Sequence, residues 1–275
     1  MNKKGLPLIH GNILRIHNFT TWIRGLYYAY IVLSWYLFTN RPLPDASKFQ
    51  RKMHLRFRRE YSQNGEDGIV EAIFRKIGTT NKYFVEFGVE DGMECNSRYL
   101  ALHKGWKGLL MDGAEHPGTD VKSEFITAEN IQALFKKYNV PETPDLLSID
   151  IDGNDYWVWQ AINHYKPRVV IIEYNSHILP EETKTIPYNP RFHWDGTDYY
   201  GASLGVLDLL GQRKGYTLIC TDRNGVNAFF VRADLAQGKF AQRTLGEIYH
   251  PPAFKGIIGK RHAPDNLNRS WVTVK

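Results

Sequence analysis

The feature that most constrains this chain is a series of short apolar runs, YFVEFG, GLLMDG, LLSIDIDG and VVIIEYN. Each ends in an acid with a glycine or asparagine one or two residues beyond it. Such runs have strand length, and segments of helical character separate them. SQNGEDGIVEAIFRKIG predicts a helix from Glu66 to Ile77 closed by Gly78, and Tyr83 to Phe87 a first strand. A helix over about Asn96 to His103 follows, then a strand ending at Asp112. ITAENIQALFKKY places Thr127 before a further helix. LLSIDID and Val169 to Glu173 are the next strands, with DYWVWQAINHY as the helix between them. GASLGVLDLLGQRKG reads as a helix ending near Gly215, and YTLICTD and NAFFVRADL as a closing strand pair around DRNG. Strand and helix in alternation require a mostly parallel sheet covered on both faces. The expected fold is therefore α/β, a seven-stranded, doubly wound, Rossmann-like sheet. Open sheets of this kind keep their ligands at the carboxyl ends of the strands, where these acids lie.

Three regions are expected: an N-terminal arm over 1–59 with helical character, an α/β domain over 60–235 and a C-terminal extension over 236–275. Residues 1–60 hold eleven Lys or Arg against Asp45 and Glu60, so the formal charge of +6 becomes +9 there and −3 in the remainder. Basicity confined to an arm does not describe a nucleic-acid cleft, and nucleic acid is not an expected partner. Between Arg24 and Arg41 lie sixteen uncharged residues, crowded with Tyr27, Tyr28, Tyr30, Trp35 and Tyr36. That run is short of the roughly 20 residues of a spanning helix, and its aromatics suit a membrane interface. The basic, apolar-interleaved KFQRKMHLRFRRE follows it. The expectation is peripheral attachment to an anionic membrane surface from the cytoplasm. A single span, or a helix packed on the main domain or in a homo-oligomer, are the alternatives. The two cysteines, Cys95 and Cys220, make neither a zinc cluster nor a disulfide framework, in keeping with a reducing compartment.

The first turn, EFGVEDGMECN, lacks the GxGxxG dinucleotide fingerprint. Gly88 and Gly92 still allow a small cofactor to approach backbone amides, while Glu86 and Asp91 disfavour a pyrophosphate and suit a cationic ligand. Asp112, about twenty residues on, is placed to accept both hydroxyls of a ribose.

EFGVEDG with LLMDGAE and LLSIDIDGND resembles the class I S-adenosylmethionine-dependent methyltransferases, and the upstream SQNGEDG is similar to the FkbM-like group within them. The likeness covers roughly residues 60–235. It implies S-adenosylmethionine as cofactor, with Glu86, Gly88 and Asp91 lining its amino-acid side, Asp112 on its ribose and Asp150 below the transferred methyl. Glu90 stands where a third glycine belongs in the familiar GxGxG form, which leaves the backbone contacts open.

An alcohol acceptor must lose a proton. His177, just beyond the Val169–Glu173 strand, is the leading base, with His193 second and a merely structural histidine as the bland reading. HWDGTDYYG, residues 193–201, offers Trp194, Tyr199 and Tyr200 to a sugar face. The expected acceptor is accordingly a sugar hydroxyl of a glycan, nucleotide sugar or lipid-linked saccharide. Asp150, Asp152, Glu173 and Asn175 are candidate oxygen ligands for Mg²⁺, an arrangement resembling that of metal-dependent O-methyltransferases. The same DIDGN string partly resembles the nucleophile motif of haloacid-dehalogenase-like phosphohydrolases, with Asp150 attacking and Asp152 as acid and base. A non-catalytic, membrane-associated interaction module is the third reading.

Overall fold

The chain divides into two units, Met1–Leu43 and Pro44–Lys275. The computed structural model describes residues 58–253 and 261–275, all in the second unit. The basic, aromatic arm up to residue 57 lies outside the described residues. Among the described residues no helix is long and apolar enough to cross a membrane.

The elements in chain order are α1 (Glu66–Ile77), β1 (Tyr83–Phe87), α2 (Arg98–Lys104), β2 (Lys107–Asp112), β3 (Lys122–Ser123), α3 (Ile131–Lys137), β4 (Leu146–Ile149) and α4 (Asp155–Ala161). Next come β5 (Val169–Glu173), β6 (Lys184–Thr185), α5 (Leu204–Arg213), β7 (Tyr216–Thr221), β8 (Asn227–Arg232), α6 (Ala233–Ala236), α7 (Leu245–Ile248) and β9 (Val272–Thr273). Seven strands form one sheet in the order β3-β2-β1-β4-β5-β8-β7. Strands β1 to β5 run parallel, and β8 lies antiparallel between β5 and β7. This is the expected doubly wound sheet. Its seventh strand is the two-residue β3, which no hydrophobic run marks.

The central strands β4 and β5 are buried at every position, as strands covered on both faces must be. Alternate residues feed two cores. On one face Val85, Phe87, Leu147, Ile149, Val170 and Ile172 pack against α3, α4 and α5. On the other, Phe84, Leu146, Val169 and Ile171 pack against α1 and the start of α2. Each such apolar side chain stabilises by roughly 1.5–3 kcal/mol when removed from water.

At the amino ends of the strands, buried Arg168 and Asp145 pair at 2.6 Å. Arg168 also donates to the carbonyls of Ile77 and Gly78, and Asp145 accepts from the amides of Thr80 and Lys82. The pair thus closes α1 onto the sheet, with each charge hydrogen-bonded as burial requires.

Candidate active site

Strand register builds the site. Phe87 is level with Met111 and with Ile149, and Ile149 with Ile172. The residues that follow, Gly88, Asp112, Asp150 and Glu173, therefore form one row along the carboxyl edge. Gly88 adopts φ +75°, and a Cβ there would lie 1.4 Å from the carbonyl oxygen of Asp150. Only glycine allows β1 and β4 to turn over one another this closely.

Beyond β4 the chain turns sharply. The buried carboxylate of Asp155 accepts from the amides of Ile151 and Gly153, both at 2.9 Å, which bends the DIDG segment back to start α4. Burial pushes that carboxyl up to about 6 despite those bonds. The left-handed residue of the turn is Asp152, at φ 56°, and not the glycine after it. Gly153 serves a different need, since a Cβ there would lie 2.4 Å from the Phe192 ring.

The row opens into a cleft of about 1250 Å³. Its described lining holds eight carboxylates, those of Glu90, Asp91, Glu94, Asp112, Glu124, Asp150, Asp152 and Glu173, and neither Lys nor Arg. His193 and His262 are the two histidines of its described lining. Carboxylate oxygens of Asp150, Asp152 and Glu173 lie within 4.8 Å of one another. Burial, with Asp152 and Asp155 adding repulsion, raises the Asp150 carboxyl well above the usual carboxylate range. Burial and the Asp150 charge do the same to Glu173. Asp152 is raised too, by burial and then by Glu90 and Asp112. Glu173 is 9% exposed, and its Oε2 has no hydrogen-bond partner among the described residues. Asn154 Oδ1, on the same cleft, is likewise buried without one. Crowded carboxylates with an unpartnered oxygen call for a cation or a proton.

Asp112 accepts from the amides of Glu90 and Ala114, both at 2.9 Å, and contacts His116 Nε2 at 3.2 Å. These bonds fix the carboxylate's orientation and leave acceptor capacity toward the cleft. Phe125, 48% exposed, stands over Gly113 beside it.

The structure brings Gly88, Asp91, Asp112, Asp150, Asp152, Glu173 and His193 onto one cleft. Four other expected site residues are placed elsewhere. Glu86 is buried behind the row, where its oxygens accept from the amides of Asn96 and Ser97 at 2.7 and 2.8 Å and anchor the entry to α2. Gly92 supplies a positive-φ turn, its carbonyl accepting from Arg98 Nη1 at 2.7 Å, and does not line the cleft. Asn175 is fully buried. Its Nδ2 donates to the carbonyls of Asp198 and Tyr200, and its Oδ1 accepts from the His177 amide at 3.0 Å. An amide so engaged is no cation ligand.

His177 is the fourth. Its Nε2 accepts from the backbone amide of His262 at 3.2 Å, so Nδ1 carries the proton and faces Asn175 Oδ1 at 3.1 Å. Burial, with His262 beside it, lowers this ring to about 4. With its lone pair on an amide and its ring off the cleft, His177 holds backbone in place and is not the expected base.

Phe125 and His262 are among the lining residues that the sequence does not single out. Phe125 lies two residues beyond β3, a strand that no hydrophobic run marks. His262 comes from the C-terminal extension, 85 residues beyond His177. The HW and RHAP segments carry no periodicity that would link them, so no local signal marks the pairing.

No family model matches the sequence, and no curated protein matches it significantly. Among solved structures it is similar to the magnesium protoporphyrin IX methyltransferase ChlM from Synechocystis PCC 6803 with bound SAH. That likeness has 11% identity over 78% of this chain and 99% of that one, with a TM-score of 0.35. An O-methyltransferase family protein from Burkholderia thailandensis shows 8% identity over 67% of this chain and 68% of its own, with a TM-score of 0.33. At these scores the fold assignment rests on strand order and pairing rather than on either likeness.

Proposed function

We propose that this chain is an S-adenosylmethionine-dependent methyltransferase of the FkbM-like group, acting on a saccharide hydroxyl with the help of a divalent cation. The observation that carries the reading is the cleft itself, eight carboxylates and no Lys or Arg in its described lining, along the ends of four parallel strands. A nucleotide with a pyrophosphate would meet like charge there, whereas a ligand bearing ammonium and sulfonium groups would be attracted. S-adenosylmethionine supplies an electrophilic methyl group when bound. Asp112 would accept its ribose hydroxyls, Gly88 would let it approach the β1 turn, and the Phe125 ring offers a face to a planar base.

The Asp150, Asp152 and Glu173 oxygens fit a hard cation such as Mg²⁺, which takes carboxylate ligands. At that position it would lower the pKa of an acceptor hydroxyl. His193 and His262 are the imidazoles in reach of the same cleft for the released proton. The basic, aromatic arm would hold the domain at an anionic, cytoplasmic membrane face, near lipid-linked acceptors.

The phosphohydrolase reading of DIDGN loses support from the same cleft, since phosphate would approach crowded carboxylates with no Lys or Arg among the described lining residues. Calorimetric titration with S-adenosylmethionine separates the readings. Wild type is expected to bind, and Asp112→Asn to bind at least tenfold more weakly with an unchanged fold. A folded wild-type protein that takes up no cofactor overturns the assignment and returns weight to a non-catalytic module.

A further inference from the structure

Three rings make a corner at the acid end of the cleft. Trp194 and His262 have centroids 4.6 Å apart at 59°, Tyr200 and His262 5.4 Å at 68°, and Trp194 and Tyr200 5.8 Å at 58°. All three line the cleft. Tyr200 lines the same cleft as the carboxylates of Asp150, Asp152 and Glu173.

The corner exists only because the C-terminal segment returns to the loop over 193–201. Thr197 and Ala263 form a parallel bridge, and the Asp198 amide donates to the Ala263 carbonyl at 2.8 Å. The Asp265 amide donates to Asp198 Oδ1 at 2.8 Å. Arg269 pairs with Asp195 at 2.9 Å and lies 4.1 Å over the Tyr199 ring. Strand β9 then pairs with β6. Trp194 is fixed through Nε1, which donates to the Thr197 carbonyl at 2.7 Å. These contacts hold the His262 ring beside Trp194 at a defined position, as a specificity subsite requires.

We propose that Trp194, Tyr200 and His262 form the acceptor subsite, and that it selects a polyol ring carrying no anionic group. This deepens the methyltransferase reading and rests on it. Aromatic faces take the C–H side of such a ring, while the neighbouring carboxylates accept its hydroxyls. Even with a divalent cation on Asp150, Asp152 and Glu173, the five further carboxylates of the described lining, with no Lys or Arg among them, would repel a phosphate or carboxylate on the ring. A protonated amine on the ring meets no such repulsion.

The test uses the full chain with saturated S-adenosylhomocysteine and reads saturation-transfer NMR on three probes: methyl glucoside, glucosamine and glucose 6-phosphate. The first two are expected to bind at least tenfold more tightly than the phosphate. His262→Ala and Trp194→Ala should each weaken methyl glucoside at least fivefold while leaving S-adenosylhomocysteine affinity unchanged. His262→Gln and Trp194→Phe replace any alanine variant that unfolds. Equal or tighter binding of the phosphate, no binding of methyl glucoside, or full binding by the folded variants overturns the proposal. Intact S-adenosylhomocysteine affinity in any of those cases leaves the cofactor reading standing. Its loss in the wild type overturns that reading instead.

Discussion

The α-carbon of Gly88 faces the carbonyl of Asp150 so closely that a side-chain carbon would sit 1.4 Å from the oxygen. The first strand's turn and the fourth strand's acid are thus one structural unit. Gly88→Ala must push β1 and β4 apart at their carboxyl ends and also hold alanine at φ +75°. The expected destabilisation is about 3 kcal/mol or more from overlap and backbone strain together. Thermal unfolding and cofactor titration check this. An alanine variant with wild-type stability and affinity would show that the turn is not held as described.

Glu173→Gln should stabilise the protein at pH 8 and weaken its response to Mg²⁺. The Glu173 carboxyl is raised by burial and by Asp150. A raised acid contributes stability that is complete at low pH and lost as pH rises through its folded value. At pH 8 the charge opposes folding, and a neutral amide can donate to its neighbours instead. The expected gain is on the order of 1–3 kcal/mol at pH 8, shrinking toward zero near pH 5. Denaturant unfolding at the two pH values, with and without Mg²⁺, measures both effects. A large Mg²⁺ stabilisation retained by the variant would remove Glu173 from the cation site.

A second buried acid gives a distinct pH signature away from the trio. Asp222 accepts from the amides of Asn224, Val226 and Asn227, yet burial and the nearby Glu66 push it up to about 7. Its contribution to stability is full below pH 3.8 and disappears as pH climbs from there through 7. His177 acts in the opposite sense. Lowered from 6.5 to about 4, it contributes above pH 6.5 and loses that contribution as pH falls to 4. Asp222→Asn should therefore reduce the loss of stability between pH 5 and 7.5, by on the order of 3 kcal/mol. A pH series of urea midpoints tests it, and an unchanged slope would place the titration on other groups.

The fold was legible wherever local pattern and tertiary role coincide. Glu66–Ile77, Tyr83–Phe87 and Val169–Glu173 have the bounds that apolar spacing and the closing Gly78 imply. The strand read through LLSIDID stops at Ile149, because Asp155 draws the amides of Ile151 and Gly153 into a turn. An acid after the strand overrules the apolar alternation within it. In the site, acids at strand ends were legible because a parallel sheet collects them at one edge. Glu86 was misread because alternation places it on the face that anchors α2, two residues short of the edge row that begins at Gly88. His262 was out of reach for another reason. Its place depends on a return of the chain end to the 193–201 loop, and contacts that distant leave no local periodicity.

The arm supplies the last prediction. The chain divides into Met1–Leu43 and Pro44–Lys275, and the described residues that line the cleft belong to the second unit, so a deletion is placed at Leu43. Residues 1–43 contribute Lys3, Lys4, Arg15, Arg24 and Arg41 and the aromatic run, while KFQRKMHLRFRRE stays with the remainder. Near an anionic surface each Lys or Arg contributes about 1 kcal/mol, and inserted aromatics add an apolar, salt-insensitive part. Deleting 1–43 should therefore remove most of the binding to phosphatidylserine-containing vesicles that survives high salt. Charge reversal at Arg51, Lys52 and Arg56 should remove most of the part that salt screens. Co-sedimentation at two salt concentrations separates the two contributions, with circular dichroism confirming that each protein is folded. Vesicle binding by the full chain that neither change reduces would place the membrane contact outside the arm. Absence of binding by the full chain would leave the aromatic run as a packing surface within the protein or its oligomer.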